Sequence, residues 1–258
     1  MSGMKPKFWV AGLVLLSALG GCYFDTLPDP NAITSQRMPE AEVMQRNISS
    51  AYASLDRRLK KGEITEAQKK GSIDQLVQVY AEKIILEEVP DRTAFRYADI
   101  LRQAGRLKEA EGLYRKAVEV APNDDRRVND SLQLARVLMM QGKGKEAMTL
   151  ARSTFDVEPK EKAPIMMAVL YEIVPEGRKK KQSLTELAKL LEESINQHML
   201  VYVDPTTDGG QAFLSAMPRH LDNAWDEVMK LYRDADRDDL MQEAFNRRRE
   251  QDRKTRSL

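Results

Sequence analysis

An all-α fold built from successive helix pairs is predicted by three features of this 258-residue sequence. From Glu40 onward, apolar residues recur at close to a 3.6-residue period, the mark of helices with one buried stripe. Strand-like alternation is weak throughout, and the only short candidate is Val201-Tyr202-Val203. A pattern of small and large residues that begins at Ala94 returns 37 residues later, so the sequence repeats itself.

Composition narrows the classes. With 42% hydrophobic and 31% charged residues, the chain has enough apolar material for a core, which argues against wholesale disorder. A single cysteine rules out a disulfide framework, and 13 glycines rule out collagen. Only one segment is apolar enough to enter a bilayer. The 41 basic and 40 acidic side chains nearly cancel, so no nucleic-acid partner is expected.

The N-terminus reads as an address. Lys5 and Lys7 precede an apolar run of 12 residues, Phe8 to Leu19. As a helix that run is about 18 Å long, too short for a hydrocarbon core of about 30 Å. Charge, short apolar stretch and small residues together make residues 1–21 a secretion signal. The run closes on Leu19-Gly20-Gly21-Cys22, and Cys22 is the only cysteine. This resembles the lipobox of bacterial lipoproteins. The resemblance implies that Cys22 is lipidated and becomes the new N-terminus. It also implies sorting to the outer membrane, facing the periplasm, because Tyr23 rather than Asp follows the cysteine. Several acyl chains, at ~0.8 kcal/mol per buried methylene, would hold the protein on a membrane without further help. The alternative is a generic signal cut elsewhere, with the cysteine there by chance.

Residues 22–39 read as a tether. Pro28, Pro30 and Pro39 interrupt a polar stretch without periodicity. Tyr23, Phe24 and Leu27 leave open an ordered arm packed on the domain.

Residues 40–90 are predicted as N-terminal helices. Val43, Met44, Ile48, Ala51, Tyr52 and Leu55 mark the first, and Gly62 ends it. Thr65 with Gln68 fits a capping box for the next. That helix is marked by Ile73, Leu76, Val77, Tyr80, Ile84 and Ile85. It is either one helix over 65–89 or two broken near Gly71.

The repeat follows at 91–198. Its first copy is Ala94, Tyr97, Ala98, Leu101, Gly105, Ala110, Tyr114, Ala117 and Pro122; its second is Ser131, Leu134, Ala135, Leu138, Gly142, Ala147, Ala151, Thr154 and Pro159. Small residues suit close helix crossings, large ones fill the space between, glycine permits the turn, and proline ends the second helix. This spacing resembles the tetratricopeptide repeat, a 34-residue helical hairpin. Three extra residues around Asp124 to Arg127 are expected to lengthen the connection. Gly144, standing where the first copy has Leu107, predicts a loose second hairpin. A degenerate third pair follows, Ile165 to Tyr171 and Leu184 to Ile195, separated by a basic loop from Pro175 to Lys181. Residues 199–258 are C-terminal helices, possible kin of the same repeat through Trp225, Val228, Tyr232, Met241 and Phe245.

The resemblance implies a curved solenoid whose concave side binds segments of other proteins. By spacing, Phe95, Asp99, Arg102 and Gln103 would line it in the first repeat. Leu132, Arg136, Met139 and Met140 would line it in the second, with packing between repeats the other role open to Met139 and Met140. Asp99 stands where the carboxylate-binding version of the fold has Asn, so a clamp for chain termini is not expected.

Catalytic signals are missing. His198 and His220 lack a partner motif, no His/Cys metal spacing exists, and Asp208-Gly209-Gly210 lacks the Lys and Ser or Thr of a phosphate loop. No metal or cofactor is expected. Two basic runs remain, Arg178–Lys181 and Arg247–Arg249 with Arg253, Lys254 and Arg256. They read either as solvated helix ends or as contacts to anionic envelope polymers and headgroups. Together these features predict a non-enzymatic scaffold whose partners are other envelope proteins and, through Cys22, a membrane. The rivals are a permanent subunit of an envelope machine and an enzyme with an unrecognised carboxylate site in 200–258.

Overall fold

The computed structural model describes residues 38–256, and every regular element among them is helical. Up to residue 37, the segments expected to be signal peptide and tether, with Cys22, lie outside the described residues. At the tether's far end Pro39 is buried, and the Met38 sulfur accepts a bond from the Ile85 amide at 3.3 Å. The domain therefore begins slightly before the predicted boundary at Glu40.

Contacts divide the chain into two compact units. The first runs up to Val89 and includes Asp99–Gly105; the second comprises Pro90–Ala98 and Arg106 onward.

In the first unit, α1 (Ala41–Lys60) and α2 (Glu66–Glu82) pack as a pair. Met44, Ile48, Ala51 and Leu55 form the buried stripe of α1, and Ile73, Leu76, Val77 and Tyr80 that of α2. Asn47 donates to the Tyr80 hydroxyl at 2.8 Å, so that buried hydroxyl is satisfied. The capping box forms as expected: the Gln68 amide donates to Thr65 Oγ1, and Thr65 N to Gln68 Oε1. Helix α2 runs unbroken through Gly71, which settles the question of one helix or two, and ends at Glu82 in favour of a short 3-10 turn at Leu86–Glu88.

The next helix, α3 (Ala94–Gln103), contributes its two halves to the two units. In the second unit follow α4 (Leu107–Glu119), α5 (Asp124–Met140) and α6 (Gly144–Ser153), with α5 packed against both neighbours. The two copies of the sequence pattern occupy equivalent states. Ala94, Tyr97, Ala98, Leu101, Ala110, Tyr114 and Ala117 are buried, as are Ser131, Leu134, Ala135, Leu138, Ala147, Ala151 and Thr154. Gly105 and Gly142 both turn the chain in the left-handed region, at φ 76° and 81°. The three extra residues do not lengthen a loop. Asn123 caps α5 by accepting from the Arg126 amide at 2.9 Å, and Asp124 and Asp125 complement the helix dipole in the first turn. The insertion is thus an extra turn of helix. Nor is the second hairpin loose at Gly144: a Cβ there would fall 1.9 Å from Gln182 Oε1, so the space vacated by a leucine is filled by the Gln182 side chain.

Glu111 ties α4 to the end of α5. Gln141 Nε2 donates to it at 2.9 Å, and it pairs with Lys143 at 2.7 Å and Arg115 at 2.8 Å. Burial raises its carboxyl pKa, but the bonds from Lys143, Arg115 and Gln141 outweigh that and bring it down to about 2.

The expected basic loop at Pro175–Lys181 is mostly helix. The chain runs from α7 (Ala163–Ala168) through a π turn (Val169–Ile173) into α8 (Val174–Lys179). Proline lacks an amide proton and crowds the carbonyl four residues back; the wider turn just before Pro175 makes room for its ring. Helix α9 (Leu184–Met199), capped by Ser183, packs on α7 and α8. The strand candidate 201–203 is irregular chain, and Gly209 and Gly210 lie in the first turn of α10 (Asp208–Asp234), capped by Thr207. Helix α11 (Asp238–Arg256) returns along α10. Phe245 remains exposed, although its counterpart spacing predicted a packed position; Ala244 is the buried residue there.

Candidate interaction cleft

In the second unit an open cleft of about 280 Å³ lies at the start of α3, the end of α4 and the first turns of α5. Its apolar surface comes from Phe95, Ala117, Val120, Ala121 and Pro122, and its charged rim from Asp91, Arg92, Arg126 and Asp130. Helix α4 ends at Glu119 ahead of Pro122, which leaves Val120 43% exposed on the cleft wall.

The far wall is made by the inserted turn of α5. The Arg126 guanidinium lies 3.1 Å from the centroid of the Phe95 ring, a cation–π contact. The same guanidinium donates to both oxygens of Asp130, at 2.9 and 2.6 Å. Asp130 is buried; desolvation pushes its carboxyl pKa up against the opposing pull of Arg126. On the near side Asp91 pairs with Lys116 at 2.6 Å. Both rim acids are therefore committed to cations of the protein.

The pair has an unequal mutational signature. Removing Arg126 leaves a buried carboxylate without its cation, whereas removing Asp130 leaves a half-exposed guanidinium that water can solvate. Arg126→Ala is expected to cost about 2 kcal/mol and Asp130→Ala about half that, with the double variant no worse than Arg126→Ala alone. Urea unfolding of the four proteins measures this; strictly additive losses would show that the two side chains do not act as a pair.

The sequence-predicted contact residues fare differently. Phe95 lines the cleft. In the first unit, Asp99, Arg102 and Gln103 come together on α3: Arg102 donates to Asp99 Oδ1 at 2.5 Å and Gln103 to Asp99 Oδ2 at 2.8 Å. In the second unit Arg136 is half-buried on α5, 3.4 Å from Glu172, which also accepts from Gln133 at 2.7 Å. Met140 is half-buried at the end of the same helix. Leu132 is a correction: it is 1% exposed, enclosed because α5 packs against α4, α6 and the α7–α8 segment, and no partner can touch it. Met139 is likewise core. Arg126 escaped prediction because it sits in the insertion, where the repeat spacing offers no counterpart, and Asp130 because it lies just before the first patterned slot at Ser131.

No protein family, characterised protein or solved structure matches this chain. The local chemistry therefore carries the functional argument. Among the described residues, no group of three or more His, Cys, Asp or Glu side chains is arranged to hold a metal ion. No described helix is long and apolar enough to cross a membrane. Three arginines of the basic runs are engaged at home. Arg178 joins α8 to α10 through Glu227 at 3.0 Å and Asp234 at 2.7 Å. Arg247 meets Glu192 at 2.9 Å, and Arg248 meets Asp222 and Asp226 at 2.8 and 2.7 Å. These arginines act as ties between helices, which weighs against the reading of them as a surface for anionic polymers.

Proposed function

We propose that this chain is a lipid-anchored, non-enzymatic scaffold of the bacterial envelope, built on tetratricopeptide-like hairpins, that holds partner proteins near the outer membrane. The observation that carries the reading is the matched burial of the two sequence copies, each with a glycine in the left-handed region at the same slot. Hairpins of that kind cover one another's apolar faces and leave grooves for segments of other chains. The cleft walled by Phe95 and Arg126 supplies such a groove, with apolar floor and charged rim. The Leu19-Gly20-Gly21-Cys22 sequence supports the anchor.

Two measurements test this. Cys22→Ala is expected to move the protein from the membrane to the soluble fraction of cells; tight membrane association in that variant contradicts the anchor. A photo-crosslinking residue at Val120 is expected to capture one discrete envelope protein, and Phe95→Ala to abolish the adduct. Adducts that are absent, or indifferent to Phe95, remove the cleft from the proposal.

A second reading, a permanent subunit of an envelope machine, draws on the exposed Leu200, Tyr202 and Leu214 around the α9–α10 junction, at 57%, 71% and 44%. Migration of the native protein as a stoichiometric complex would favour it.

A further inference from the structure

The junction of α9 and α10 holds a buried ionisable group that no role described above uses. His198, in the last turn of α9, is fully buried, and neither ring nitrogen has a hydrogen-bond partner. A neutral imidazole always carries one N–H, so this site leaves a buried donor unsatisfied. Two side chains of α10 face the ring: Phe213, tilted at 5.1 Å between centroids, and His220 at 6.4 Å.

The segment of α10 that carries Phe213 is held lightly. Between Gly210 and Leu221 no residue is buried; Phe213, Ala216, Met217 and His220 are only partly covered. Pro218 lies inside the helix and has no amide to donate to the Leu214 carbonyl, so the backbone ladder is interrupted just before His220. Beyond that point Leu221, Ala224, Trp225, Val228, Leu231 and Tyr232 fix the helix in the core.

We propose that His198 and His220 form an acid-released clasp, which holds the Asp208–Met217 arm of α10 against α9 while His198 is neutral and frees it, about a hinge at Pro218, when His198 takes up a proton. An imidazolium at this position would need an anion, and among the described residues around it each nearby carboxylate is already held by a cation. Within one turn on α9 the neighbours are Ser194, Ile195, Asn196, Gln197 and Met199. Helix α7 has no charged residue. On α10, Asp222 is bound by Arg248 of α11, and Arg219 would only repel. Elsewhere around α9, Glu193 pairs with Arg152 of α6, Glu172 of the π turn with Arg136, and Glu176 of α8 with Lys179, while Arg178 is tied to α10. Lys162 donates to Gln197 Oε1 and adds another positive charge nearby. Burial and the charge of His220 accordingly hold the His198 pKa down, to about 4.

Amide hydrogen exchange on the full-length chain at pH 7.0 and 4.5, corrected for intrinsic rates, tests the clasp. Protection of residues 213–217 is expected to fall by tens of fold on acidification and to stay well below that of Ala224–Tyr232 at both pH values. His198→Phe, which fills the site without a titrating group, is expected to keep the arm protected at pH 4.5; His198→Leu serves if the phenyl ring does not fit. Unchanged protection in the unaltered protein, or the same loss in both variants, overturns the proposal. So does a His198 ring resonance that titrates above pH 6 in the folded protein.

Discussion

Leu132→Ala is expected to lower the unfolding free energy by about 2–4 kcal/mol and to leave crosslinking from Val120 unchanged. The first effect follows from its surroundings. Leu132 lies on α5 among Val128, Leu134, Ala135 and Leu138 of its own helix, all buried, and α5 packs against helices on several sides. Deleting three carbons there loses transfer free energy and leaves a cavity that close-packed neighbours cannot easily fill. The second effect follows from the cleft's composition, since Leu132 is not among its lining residues. Urea titration and crosslink yield read the two separately. A stability change below about 1 kcal/mol accompanied by lost capture would put Leu132 back on a binding surface.

Acid is expected to destabilise the protein in two resolvable steps. For His198 the folded pKa, about 4, is below the ordinary 6.5, so the folded state disfavours the charged form. Its contribution is intact above pH 6.5 and is lost as pH falls toward 4, for a total on the order of 3 kcal/mol. For Glu111 the folded pKa, about 2, is below the ordinary 4.5, so the folded state favours the carboxylate. That contribution is complete above pH 4.5 and disappears toward pH 2; with Lys143 and Arg115 nearly half-exposed, solvent screening holds it to about 1 kcal/mol. Unfolding free energies measured from pH 7 to 2.5 should therefore fall first in the histidine window and then in the carboxylate window. His198→Phe should flatten the first fall and Glu111→Gln the second. A profile level between pH 7 and 5 in the unaltered protein contradicts the burial assigned to His198.

Much of the fold was legible because helices announce themselves through period. Met44, Ile48, Ala51 and Leu55 gave α1 its buried face, and Thr65 with Gln68 gave α2 its start. The repeat slots were legible for the same reason: alanines at tight crossings and glycines at φ above zero are positions where few other residues serve. What escaped were features that depend on neighbours distant in sequence. Counting residues told that three had been added near Asp124; only the Asn-Asp-Asp sequence, a cap with acids behind it, hinted that they would extend a helix. Leu132 was placed outward because its slot faces a groove in an ordinary first helix, whereas here the α7–α8 segment closes over α5. The stacking of Arg126 on Phe95, 31 positions apart, has no local signature, and neither does the meeting of His198 with His220.

The wide turn at Val169–Ile173 carries a lesson about phase. A π turn is equivalent to one residue slipped into an α-helix, and each residue advances the side chains by about 100°. Everything after Ile173 is thereby rotated relative to what an uninterrupted helix would present. That rotation is what aims Arg178 at Glu227 and Asp234. A one-residue deletion between Val169 and Ile173 would straighten the helix, yet swing this guanidinium about a quarter-circle away from both carboxylates, so the irregular version of the segment is the one that keeps its two ends in step.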